Sequence, residues 1–353
     1  MFSAFIESII KDNMHLAVAK KQLTAEQLAM IYEQGWFNLW VPKVYGGLEY
    51  DLKSGCQLLE ELAFQDGGLG WTVTLCSGAN MFAGFLEPQL AESVFQAHDV
   101  CWGGSGKAAG RADITEGGYV ISGMWKYATG APHLTHFTLN AWLYKEGQPI
   151  LSDEGEPVYA SFFVDRADVL IHYDWDTFGL EVTASHSFSV EGLFVPANRS
   201  FNLIPEQRTI NTALYYYPFM AFAACTLVVN YMGMFRKFVA LYEKLLYQKS
   251  ADTVWNTRKG KGYFKELDII LTTFETHSEE LYTLMTETWG KESPDAISLE
   301  RISELAKEVV LFIREKTTEL FPRTGIDGAQ RDNEINMVFR NIFTATQHAL
   351  LNG

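Results

Sequence analysis

Gly117–Gly130 reads GGYVISGMWKYATG, and the rest of the chain is organised around it. Tyr119 and Ile121 alternate with Val120 and Ser122, the period-two pattern of a half-buried strand. Ser122-Gly123 reads as a tight turn, and the residues from Met124 to Thr129 as a second strand. Side chains alternate along a strand, so Trp125, Tyr127 and Thr129 are expected on one face. Alanine, threonine and glycine at the strand end leave room for a flat ligand. They also offer a hydroxyl and backbone N–H donors. The same letters describe an ordinary hairpin with an aromatic core face, and the pattern alone does not separate the two.

Working outward, residues 1–100 read as a helical unit. Thr24 with Gln27 three positions on is a capping start, and Ala29, Ile31 and Tyr32 continue its apolar face until Gly35. A breaker-rich loop, Trp40-Val41-Pro42-Lys43-Val44-Tyr45-Gly46-Gly47, follows. Leu58, Leu59, Leu62 and Ala63 form a second stripe, closed by Asp66-Gly67-Gly68, and a third apolar segment runs from Trp71 to Phe85. Residues 101–205 change texture: alternating runs at Phe137–Leu143, Val158–Val164 and His186–Val195 predict a β unit, a compact barrel or sandwich. Helical periodicity returns in residues 206–353, with long segments over 215–248, 263–288, 298–320 and 333–351. Four such helices predict an antiparallel bundle. The fold class is therefore α+β, in the order helical, β, helical.

Composition narrows the function. The 353 residues can bury a large core, and 43 acidic against 28 basic residues argue against a nucleic-acid partner, which needs phosphate neutralisation. The cysteines Cys56, Cys76, Cys101 and Cys225 are widely spaced and form no CxxC pair, so no metal knuckle is predicted. His133 and His136 read as loop histidines for the same reason. Acid and lysine come too early at the N-terminus for a signal peptide. The apolar run Phe219–Val229 is too short for a membrane span before Asn230. A cytoplasmic protein without a membrane partner is the expectation.

Four stretches together resemble the acyl-CoA dehydrogenase superfamily. They are the Trp40–Gly47 loop, the GGYVISGMWKYATG hairpin, Phe178–His186 leading to Val195-Pro196, and Arg340–Asn352, RNIFTATQHALLN. The resemblance implies a fold with an N-terminal helical domain, a middle β domain and a C-terminal four-helix bundle. It also implies a flavin, FMN or FAD, and a homodimer or homotetramer. In its dehydrogenase branch a glutamate on the last helix takes the α-proton of an acyl-CoA. In its monooxygenase branch, reduced flavin from a separate reductase activates oxygen, and a histidine stands on that helix. Here the glutamate slot is Ala349, no acid lies between Arg340 and Gly353, and His348 falls where the monooxygenase histidine is expected. Arg340, Thr344 and His348 would form a polar stripe at i, i+4, i+8.

The resemblance thus assigns His348 and Thr129 as catalytic candidates. It assigns Trp102, Ser105, Trp125, Ala128, Thr129, Gly130 and Arg258 to the flavin, with Tyr263 near Arg258. Trp71, Ser77 and Asn80 are assigned to the substrate cavity. Oxygen activation needs a dry pocket and a hydrogen-bond donor, which an imidazole of near-neutral pKa supplies. Asn341 stands where relatives keep an aspartate, and Glu181-Val182-Thr183-Ala184-Ser185 replaces an R-G-T-G-S run. A small aromatic or polycyclic substrate is the leading expectation. A dehydrogenase with its base displaced to Glu319 or Glu334, and a flavin-free scaffold on the same fold, are the alternatives.

Overall fold

The computed structural model describes residues 2–351; Asn352, the end of the RNIFTATQHALLN stretch, lies outside them. The chain begins with α1 (Ala4–Lys20), α2 (Ala25–Glu33), α3 (Leu52–Gln65), α4 (Gly67–Asn80) and α5 (Pro88–Phe95). The capping box at α2 forms as its letters predict. Thr24 Oγ1 accepts from Gln27 N at 3.2 Å, and Gln27 Oε1 accepts from Thr24 N at 3.0 Å. Between α3 and α4 the chain turns on one residue. Asp66 Oδ1 accepts from the N–H groups of Gly68 and Leu69 at 2.8 and 3.1 Å, so α4 starts where the sequence suggested only a stop.

Eight strands follow among the described residues: β1 (Trp102–Thr115), β2 (Gly118–Ala128), β3 (His136–Lys145), β4 (Gln148–Pro149), β5 (Tyr159–Asp165), β6 (Leu170–His172), β7 (His186–Pro196) and β8 (Ser200–Phe201). They make one sheet in the order β6-β7-β2-β1-β3-β5-β8, with β4 paired to β3. The β1–β3 pair is parallel and the rest are antiparallel.

The quoted stretch departs from its sequence-based description. Ser122-Gly123 is not a turn; Gly118–Ala128 is one strand, and the hairpin it belongs to is β1–β2. Its pairing with β7 slips twice, between Ile121 and Gly123 and between Trp125 and Ala128. The second slip is a bulge with Tyr127 at φ 68°, in the left-handed region that costs a non-glycine residue about 1–2 kcal/mol. An extra residue in the strand flips its alternation. Trp125 and Ala128 therefore both point inward, while Tyr127 is 68% exposed, so Trp125, Tyr127 and Thr129 do not share a face.

After the single turn α6 (Ala213–Tyr216) come α7 (Phe219–Ser250), the short α8 (Thr253–Trp255), α9 (Lys261–Thr288), α10 (Ala296–Leu320), the short α11 (Ile326–Ala329) and α12 (Glu334–Ala345). The long helix α7 is the axis of the core, packed by α3, α4, α9, α10 and α12. By length and composition it is apolar enough to cross a membrane, but 78% of that apolar window is buried inside the fold. Arg236 on α7 pairs with Glu60 of α3 and Glu275 of α9, tying the first helices to the last ones. The last helix stops at Ala345, six residues short of its predicted end at 351. Tyr231 Oη of α7 donates to the Ala345 carbonyl at 2.6 Å, and the chain turns from there. His348 therefore follows the helix, and the predicted polar stripe is helical only through Arg340 and Thr344.

Candidate functional site

Where β2 ends, Thr129 is buried and its hydroxyl lies 2.9 Å from that of Ser185. Ser185 in turn lies 2.8 Å from Thr183, whose hydroxyl donates to the Leu180 carbonyl. Gly130 N donates to the Thr183 carbonyl at 2.8 Å. Three buried hydroxyls in series thus bind the end of β2 to the 180–185 loop. Because Thr183 spends its proton on the Leu180 carbonyl, Ser185 donates to Thr183 and Thr129 to Ser185, which leaves Thr129 Oγ1 able to accept from a neighbour. Gly130, at φ 79°, cannot carry a side chain easily; a Cβ there would sit 2.7 Å from His133 Nε2.

The same loop is fixed to α12. Asn341 Oδ1 accepts from Leu180 N at 2.7 Å, Arg340 donates to the Phe178 carbonyl at 2.8 Å, and Arg340 pairs with Glu181. The two apparent departures from the family pattern, Asn341 and Glu181, are therefore partners in one joint between loop and helix. A small cleft beside this joint is lined by Asp66, Glu181, Lys237, Glu334 and Arg340, among others. Its charged walls are paired internally, Arg340 with Glu181 and Lys237 with Glu334.

Beyond α12 the imidazole of His348 turns inward. It meets the Trp71 indole edge to face, with centroids 5.7 Å apart, and Tyr231 meets the same indole at 5.8 Å. Burial holds the His348 pKa below its ordinary value, so the ring is neutral at neutral pH. Nδ1 accepts from Leu350 N at 3.4 Å, which puts the proton of the neutral ring on Nε2 as a donor. Trp71 and His348, chosen separately from the sequence, are brought together.

Trp71 shares a helical face with Leu75 and Gly78 at i, i+4, i+7, and that face is only partly covered. A Cβ on Gly78 would meet nothing within 4 Å, so α4 leaves room there. Ser77 and Asn80 do not line this face. Ser77 donates back to Thr74 within the helix. Asn80 is fully buried, donating to Asn38 and Val100 and accepting from Trp102 N at 2.7 Å. It is a clamp between α4 and β1.

The remaining candidates divide in the same way. Trp102 is in the core, stacked on Phe163 at 4.6 Å. Trp125 is 1% exposed, stacked on Phe188, with Nε1 donating to the Asn140 carbonyl at 2.8 Å. Neither indole is free to face a ligand. Gly103 and Gly104 are strand residues, glycine because a Cβ would run into the Thr129 and Thr138 carbonyls. Ser105 is half-buried farther along β1, and Ala128 is buried beside Thr129, paired with His186. Arg258 is exposed on the π-helical turn Asn256–Gly260 between α7 and α9, outside this group of residues.

Sequence reasoning missed Ser185 and Thr183, which were quoted only as a departure, and the outward Tyr127. That ring faces Trp175 at 6.3 Å, and Trp175 Nε1 donates to Leu180 O, joining an exposed aromatic wall to the hydroxyl loop. Nothing in the letters marks the bulge that turns Tyr127 out. A buried group under the loop was also missed: Cys76 Sγ lies 3.7 Å from the Thr129 carbonyl. Burial raises the Cys76 thiol, but Cys101 and the His133 imidazole outweigh it and bring the pKa to about 6.

Known proteins are similar to the chain in sequence and in fold. The sequence profile of the acyl-CoA dehydrogenase N-terminal domain matches residues 1–89. The oxygenase subunit HsaA of a flavin-dependent monooxygenase from Rhodococcus jostii is 27% identical over 180 residues, 51% of this chain and 45% of that protein. The chain thus spans about half the length of this relative. Indole-3-acetate monooxygenase from Acinetobacter baumannii is 25% identical over 332 residues, covering 90% of this chain and 81% of the relative. XiaF from Streptomyces, solved with FADH2 and glycerol, superposes with a TM-score of 0.84 at 22% identity over 98% of this chain and 89% of its own. The chain has an acyl-CoA dehydrogenase-like fold, residues 1–89 match the profile of that family's N-terminal domain, and the relatives named here are described as monooxygenases.

Proposed function

We propose that the chain is the oxygenase component of a two-component monooxygenase that hydroxylates a small aromatic or polycyclic substrate. The observation that carries this reading is the neutral imidazole of His348, held against Trp71 at a helix end that offers no carboxylate. The alternative bases are engaged elsewhere: Glu319 pairs with Lys316 and Arg323, and Glu334 with Lys237. A dehydrogenase would need one of them free.

The residues fit a flat, polar-edged ring. Tyr127 and Trp175 supply an aromatic wall, Thr129 at the head of the Thr129–Ser185–Thr183 series a hydroxyl acceptor, and the partly covered Leu75–Gly78 face of α4, next to the buried Trp71, the room beside it. Reduced FMN or FAD, when bound, would supply the activation of oxygen. The chain would do the rest. The β unit 101–205 holds the ring, the helical unit 1–100 covers the substrate, and the bundle 206–353 brings the imidazole. His348 Nε2–H would donate a hydrogen bond toward the reacting oxygen and so orient it. Trp71 and Tyr231 fix the ring and keep water from it. Because relatives are described as oxygenase subunits, a separate flavin reductase is the partner in this reading. A homodimer or homotetramer goes with it.

The test supplies NADH, a flavin reductase, FMN or FAD, and oxygen with a panel of phenols, indoles and fused aromatics. Hydroxylated product is expected, and His348→Ala should lower its rate by about 10²–10⁴-fold. Acyl-CoA oxidation without hydroxylation, or full hydroxylation by His348→Ala, would overturn the assignment.

A further inference from the structure

Cys76, Cys101 and His133 come from three elements: α4, the entry to β1, and the 3₁₀ turn Ala131–His133. Their donor atoms all lie within 4.8 Å of one another. Both cysteines are free and fully buried. The ring of His133 stacks on Phe37 at 5.7 Å, and its Nε2 is buried without a hydrogen-bond partner. Gly130 leaves the gap that admits this ring, since a Cβ there would lie 2.7 Å from Nε2 and 3.2 Å from Cys76 Sγ. Cys101 is anchored on both sides of its peptide, with N donating to Thr135 Oγ1 and O accepting from Thr135 N.

Two thiols and one imidazole nitrogen are a soft donor set. Zinc bound by such donors has Zn–S of about 2.3 Å and Zn–N of about 2.0–2.1 Å, which makes the edges of its tetrahedron roughly 3.4–3.8 Å. The observed donors need to close by only about 1 Å to reach that shape. A buried ring nitrogen without a partner is costly, and a metal ion satisfies it. We propose that Cys76, Cys101 and His133 form a zinc site that pins the Thr129–Gly130 loop to α4. Binding releases to solvent the protons that the three donors still hold and changes no oxidation state. The site stands independently of the flavin reading, because its donors are not among the residues that face the ring.

The full chain is stripped with a chelator under reducing conditions, then titrated with zinc or cobalt(II) alone. About one metal ion per chain is expected. Cobalt should give the near-ultraviolet charge-transfer band of thiolate coordination, and zinc should raise Tm. Cys76→Ser with Cys101→Ser should abolish both, as should His133→Gln, whereas Cys56→Ser with Cys225→Ser should retain both. Wild-type protein that takes up no stoichiometric metal overturns the site, whatever the variants do. So does metal binding that survives loss of Cys76 and Cys101, or a Cys76–Cys101 disulfide found by mass spectrometry in the unreduced protein.

Discussion

The joint between the 180–185 loop and α12 allows a quantitative test. Arg340 and Glu181 are 11% and 14% exposed as side chains, so their ion pair is largely withdrawn from water. Arg340→Met keeps the aliphatic packing but leaves the Glu181 carboxylate buried and alone. Breaking one side of a buried pair costs about 3–5 kcal/mol. The Phe178 carbonyl also loses its donor, although water can reach it at this exposed position. Unfolding entropy of roughly 2.1 cal/mol/K per residue turns that cost into a fall in Tm of about 4–7 °C for a chain of this size. Adding Glu181→Gln removes the stranded charge and should recover at least half of the loss. Calorimetry, with near- and far-ultraviolet circular dichroism to check that the probes coincide, reads both variants. The loop carries Thr183 and Ser185, so Arg340→Met should also weaken whatever binds at Thr129. A shift of Tm below about 1 °C in Arg340→Met, or no recovery in the double variant, would refute the role given to this pair.

Two further outcomes follow from the site. Tyr127→Gly removes a left-handed tyrosine while freeing the unfolded chain; these effects nearly cancel, leaving stability within about 1 kcal/mol, but reduced-flavin affinity measured anaerobically should drop about tenfold if the ring forms the wall. The His348 pKa is depressed in the folded state, so the unfolded chain binds more protons; its contribution to stability is complete above the ordinary histidine value of 6.5 and is lost as pH falls below it. His348→Gln should flatten the slope of Tm against pH in that acid range, and an unchanged slope would place the imidazole in water.

The helical, β, helical order was legible because it rests on periodicity and capping, which are local. Thr24 and Gln27 show this most plainly, since the capping box lies within four residues. Trp71 and His348, 277 positions apart in the sequence and named for different roles, meet in the fold. What escaped the sequence depends on non-local pairing. The bulge at Tyr127 arises from how β2 registers on β7, and no residue type announces it. For the same reason the letters around Ser77 and Asn80 do not say which side of α4 meets β1, where Asn80 accepts from Trp102 N. Trp102 and Trp125 were drawn toward a ligand by their position in motifs, whereas stacking on Phe163 and Phe188 holds them in the core. The cysteines carry no metal spacing, yet folding places Cys76 and Cys101 beside His133. Glu181 and Asn341 looked like losses one at a time and make sense only as a pair of contacts to one helix.

The most direct measurement is anaerobic titration of the purified chain with reduced FMN and reduced FAD, followed by mixing with oxygen and an aromatic substrate. Saturable binding of one reduced flavin in the micromolar range or tighter, with hydroxylated product formed in the same turnover and lost in His348→Ala, is the predicted result. Absence of binding to either reduced flavin at about 100 μM, in protein that unfolds cooperatively, would contradict it.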